Sequence, residues 1–78
     1  MATRAFILIE TAVGKTRDVA AILTELEGVQ SADVVTGPYD IIAVLESSNM
    51  NSIGELLTGN VHSIPGVVRT VTCVAVGS

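Results

Sequence analysis

The chain has 78 residues, of which 49% are hydrophobic, 15% charged and 3% aromatic, with eight acids against four bases and a net charge of −4. That bounds one small domain (1–78), too apolar and too weakly charged to be disordered, and without the basic stripe that nucleic-acid phosphates demand. No apolar run approaches the roughly 18 residues of a membrane span, and the single cysteine allows neither an internal disulfide nor a multi-cysteine zinc site.

In chain order, Arg4–Thr11 reads as a strand apolar on both faces, with Ala5, Ile7 and Ile9 on one and Phe6 and Leu8 on the other. Arg4 is the only early positive charge and Glu10 cuts the apolar stretch short, so no signal peptide is expected. Arg17–Glu27 reads as a helix: Val19, Ile22, Leu23 and Leu26 form one stripe, Thr16 suits the N-cap, and Gly28 stands just past the end. Val29–Thr36 is a second strand, polar at its start and apolar at its end. Gly37-Pro38-Tyr39-Asp40 is a turn, and Ile41–Ser47 is a third strand with two apolar faces.

Ser48–His62 reads as a second helix, with Met50, Ile53, Leu57, Val61 and Ile64 along one side and Ser52-x-x-Glu55 as a capping box. Gly54 and Gly59 each weaken it by about 1 kcal/mol relative to alanine, and Pro65-Gly66 ends it. The last strand is Val67–Val76, with Val67, Val71, Cys73 and Ala75 expected to alternate with Val68, Val74 and Val76.

The order is therefore β-α-β-β-α-β, and its halves echo one another, Ile7–Thr11 resembling Ala43–Ser47. Two interleaved right-handed β-α-β units give the α+β, ferredoxin-like fold, a four-stranded antiparallel sheet with both helices on one face. The other face keeps apolar side chains that a monomer would expose as an unusually large patch. A homodimer, sheet against sheet, is the expected remedy.

Chemistry-bearing groups are sparse. His62 sits near a helix C-terminus, where the dipole favours its cation and a surface cap explains it. Cys73, in mid-strand, reads as a buried thiol. Gly14-Lys15-Thr16 matches the tail of a phosphate-binding loop, but Ile9 occupies the place of its first glycine. The turn at Gly37-Pro38-Tyr39-Asp40 is the one unusual cluster. It is open to two readings: a hairpin whose Asp40 bonds local amides, or a corner for a small amino acid. In the second, Asp40 meets the ammonium group, while amides near Gly37 and the hydroxyl of Thr70 or Thr72 meet the carboxylate.

Gly37-x-Tyr39-Asp40, Ile64-Pro65-Gly66-Val67 and Arg69-Thr70-x-Thr72 occur in order, and together resemble the effector-binding module of the Lrp/AsnC transcriptional regulators, the RAM domain. The resemblance covers essentially the whole chain. It implies a dimeric α/β barrel that assembles into octamers or similar rings, with amino-acid effectors bound between dimers near the glycine–aspartate turn. It nominates Gly37, Tyr39, Asp40, Thr70 and Thr72 as ligand-binding residues. No metal, cofactor or catalytic residue is expected, and the compartment implied is the cytoplasm. Full-length regulators carry an N-terminal helix-turn-helix. Here the first strand starts at about Arg4, so a stand-alone module is expected, one that does not touch DNA itself and acts through partners such as full-length Lrp/AsnC-type regulators. Two alternatives share the strand order. A small dimeric α/β-barrel enzyme, of monooxygenase or isomerase type, would need His62, Tyr39 and Asp40 around one cavity. An ACT-like regulatory domain would use Gly14 after the first strand.

Overall fold

The computed structural model describes residues 3–76, the side chain of Thr58 aside, so the ends of the 1–78 span lie outside the described residues. Its elements are β1 (Thr3–Thr11), α1 (Thr16–Glu25), β2 (Val29–Val34), β3 (Ile41–Ser47), α2 (Met50–Leu56), a π-helical continuation (Leu57–Val61) and β4 (Val67–Val74). The strands form one antiparallel sheet in the order β2-β3-β1-β4, which is the ferredoxin-like arrangement expected.

Strand alternation sorts the sheet into two faces. Ala5, Ile7 and Ile9 of β1 and Ile41, Ala43 and Leu45 of β3 are fully buried against Val19, Leu23, Ile53, Leu57 and Val61 of the helical layer. Cross-strand pairs place Phe6 beside Val44 and Cys73, and Leu8 beside Ile42 and Val71, on the opposite face. Phe6 and Val71 there remain 37% and 38% exposed. Ion pairs bracket this apolar strip at its two ends, Arg4–Glu46 at 3.6 Å and Arg69–Glu10 at 3.5 Å.

Several local features differ from the sequence reading. The register shifts between Glu10 and Thr11, so β4 does not alternate evenly. Val67 packs with Val74 against the core, and Cys73 is an exposed thiol rather than a buried one. Thr16 does not cap α1: Lys15 holds that position without a side-chain bond, while the Thr16 hydroxyl lies 2.6 Å from that of Thr11. The second helix begins later than expected, and its cap is Asn49, whose side chain accepts from the Ser52 amide at 2.9 Å. No capping box is needed at Ser52.

The π turn has a packing explanation. Ile53, Leu57 and Val61 are spaced by four, which in an α-helix drifts about 40° per step. The wider turn takes up that drift, with the His62 amide donating to the Leu57 carbonyl five residues back at 2.9 Å. All three side chains stay in the core.

At the exit from this helix Gly66 has φ of +101°, and a Cβ there would fall 2.9 Å from Lys15 Cβ and 3.1 Å from Val19 Cγ2. Gly66→Ala is therefore expected to destabilise the domain by about 1–2 kcal/mol from backbone conformation alone. Urea denaturation measures it, and an unchanged midpoint would show that the turn can relax.

Candidate functional site

The loop from Val35 to Asp40 joins β2 to β3, and it is pinned at its base. The Val35 amide donates to the Asp40 carbonyl and the Asp40 amide donates to the Ile9 carbonyl, both at 2.9 Å. Gly37 at φ +145° lets the chain turn where a side chain would be strained. Pro38 stiffens the next step.

Beneath this loop lies a hollow of about 400 Å³ lined by Leu8, Val35, Thr36, Gly37, Pro38, Tyr39 and Ile42. Leu8 and Ile42 are a cross-strand pair on the open sheet face, so the hollow is a corner of that face walled by the loop. Its lining is mainly aliphatic, with polarity supplied by Thr36 and by the loop backbone. Among the described residues, the loop amides of Thr36, Gly37 and Tyr39 donate to no backbone acceptor. An apolar side chain held there would find walls on the strands and the loop.

Tyr39 forms the wall towards β4. Arg69 Nη2 donates to its hydroxyl at 3.4 Å, and the guanidinium carbon stands 5.6 Å from the ring centroid. The same guanidinium is held by Glu10.

The residues nominated from sequence separate into three places. Gly37 and Tyr39 line the hollow. Asp40 adjoins it, but its Oδ2 accepts from the Thr11 amide at 2.8 Å and from the Thr11 hydroxyl at 3.2 Å. These are long-range bonds, not the local hairpin bonds of the plain-turn reading. Thr70 and Thr72 pair with Ile9 and Ile7, whose side chains are in the core, so they belong to the helix side of β4. Thr70 Oγ1 lies 2.9 Å from His62 Nε2, beside a smaller hollow of about 260 Å³. The structure thus does not gather the two threonines with Gly37 and Tyr39. Nor do His62, Tyr39 and Asp40 share a hydrogen bond; each engages a different partner.

Residues that sequence reasoning passed over are Leu8, Ile42, Thr11, Glu10 and Arg69. Arg69 stood inside a quoted motif, yet nothing local to it points at Tyr39, 30 residues away. A third hollow, about 440 Å³, opens at the other end of the sheet and is lined by Glu27, Glu46 and Glu55 among others. Its like charges oppose a carboxylate ligand. Among the described residues no group of three His, Cys, Asp or Glu side chains could hold a metal, and no helix is long and apolar enough to cross a membrane.

Comparison with known proteins gives a consistent result. A family model for the Lrp/AsnC ligand binding domain matches residues 4–78. The uncharacterized HTH-type transcriptional regulator PH1916 of Pyrococcus horikoshii is 35% identical over 78 residues, covering 96% of this chain and 52% of the regulator. The chain therefore spans about half the length of that curated relative. Hypothetical protein PHS023, from the same organism, superposes with a TM-score of 0.90 at 35% identity, covering 100% of this chain and 93% of that one. The transcriptional regulator NMB0573 of Neisseria meningitidis, solved as a complex with L-Met, has the same fold, with a TM-score of 0.86 at 21% identity over 96% of this chain and 50% of its own.

Proposed function

Because the chain belongs to the Lrp/AsnC ligand binding domain family, we propose that it is a non-enzymatic effector module that binds an amino acid with an apolar side chain and forms homo-oligomers. The observation that carries this reading is the aliphatic hollow under the Gly37–Tyr39 loop, whose amides at Thr36, Gly37 and Tyr39 donate to no backbone acceptor among the described residues. The L-Met held by the Neisseria regulator has the chemistry such a hollow suits. Gly37 and Tyr39 are the contact residues, and Asp40 supports the loop from behind. Thr70 and Thr72 reach a ligand only where a second dimer brings its own β4 to the hollow.

The open sheet face is the surface for a second copy, and the hollow at its corner places the ligand beside that contact. Binding then favours whichever assembly closes over the hollow, since a ligand shifts an equilibrium only through different affinity for its two states. Rings of dimers, and mixed assemblies with full-length regulators of the same family in the cytoplasm, follow as the route to transcription. This chain's own charge leaves DNA contact to such a partner.

Calorimetry with each of the twenty amino acids, read alongside native mass spectrometry, tests the proposal. Saturable binding of methionine, leucine or another apolar amino acid, with a change in oligomer distribution, is the expected result. Silence across all twenty at millimolar concentration would sink it.

A further inference from the structure

We propose that Arg69 is a positioning residue for the effector hollow: it holds the Tyr39 ring as the hollow's wall and so sets which side chains fit. The proposal rests on the effector reading above and extends it to a residue that never needs to touch the ligand.

Three contacts converge on the guanidinium. It donates to the Tyr39 hydroxyl at 3.4 Å, sits over the Tyr39 ring at 5.6 Å from its centroid and is anchored by Glu10 at 3.5 Å. Glu10 and Arg69 are direct cross-strand partners of β1 and β4, so the brace stands on two strands of the sheet rather than on the loop.

Tyr39 needs such a brace. Among the described residues its backbone amide has no hydrogen-bond acceptor, and it follows Gly37 and Pro38 at a loop tip. The ring's only hydrogen-bond partner there is Arg69. A cation held on the ring and a hydrogen bond at its tip restrict both tilt and rotation. Without them the wall becomes mobile and the hollow loses a fixed width. A ligand then has to order Tyr39 as it binds, which weakens affinity and blurs discrimination by size.

The chain carries its own probe, because Tyr39 is its only tyrosine and there is no tryptophan. Arg69→Met keeps the aliphatic stem and removes charge and donors; Arg69→Lys keeps the charge. In the full chain, Arg69→Met should lose most of the Tyr39 near-ultraviolet circular dichroism while the thermal midpoint stays put. L-Methionine should bind about fivefold more weakly, and the ratio of its affinity to that for L-phenylalanine should change. Arg69→Lys should restore part of each signal. A Tyr39 band unchanged in Arg69→Met overturns the brace. A lost band with unchanged affinity and preference overturns its role in positioning. Should the parent protein bind none of the amino acids, the effector reading falls while the Tyr39 band still decides the brace.

Discussion

Asp40→Ala should lower the thermal midpoint by roughly 4–24 °C and weaken amino-acid binding more than about tenfold. Asp40 Oδ2 is the acceptor for both the amide and the hydroxyl of Thr11, and Thr11 is only 8% exposed. Removing the carboxylate strands a buried amide, at a cost of about 1–3 kcal/mol. In a domain this small each kcal/mol moves the midpoint by about 4–8 °C. Binding suffers because the same bonds fix the foot of the loop that walls the hollow. Asp40→Asn keeps one acceptor oxygen and should fall between. Thr11→Val retains the amide and should cost less than Asp40→Ala. Differential scanning calorimetry and ligand titration read the two effects. Binding abolished at an unchanged midpoint would instead make Asp40 the direct partner of the ligand's ammonium group.

Val71→Asp should weaken the proposed sheet-to-sheet dimer roughly a thousandfold or more without unfolding the protomer. Val71 lies mid-strand on the open face, in register with Leu8, and points away from the core. A twofold contact through this face buries the new carboxylate once per protomer. The penalty is several kcal/mol per ion, and each 1.4 kcal/mol is a factor of ten. Sedimentation velocity measures the dissociation, with far-ultraviolet circular dichroism confirming the fold. Cys73 gives a second readout, since its thiol is exposed in the protomer and shares the face with Phe6. It should react slowly with a thiol reagent in the parent dimer and quickly in the variant. A Val71→Asp protein that remains dimeric would move the contact to another surface.

Much of the fold was legible because it follows from periodicity. The strands apolar on both faces, the stripe through Val19 and Leu23 and the turn at Gly37-Pro38 needed no tertiary information, and they sufficed for the strand order and for an open face. What the sequence withheld depended on partners far along the chain. Thr11 meets Asp40 across 29 residues, and Arg69 meets Tyr39 across 30, so neither contact leaves a local pattern. Val67 joins Val74 on the core side because one irregularity between Glu10 and Thr11 shifts the register of β4, and a sequence does not announce a bulge. Cys73, in the regular stretch opposite Phe6, is exposed because it faces the open side of the sheet. The cap fell to Asn49 rather than Ser52 for a related reason. Both residues suit the role, and packing of the following turns decides where the helix begins. The hollow was half legible: the loop that forms its wall stood out, while Leu8 and Ile42 at its base looked like any strand residues.

The two-faced strands at the centre of the sheet have one more consequence. In β1 and β3 the odd-numbered side chains from Ala5 to Ile9 and from Ile41 to Leu45 fill the interior, and the even-numbered ones face outward. Parity is thus a second code laid over the hydrophobic one. Because both sets are apolar, a single inserted or deleted residue in either strand would exchange interior for exterior without any loss of greasiness. Composition would not reveal such an error; only the mismatch of shapes would. Ala5 and Ala43 face the helical layer, and Phe6 and Val44 face the open side. Changes in length are therefore intolerable within the two central strands.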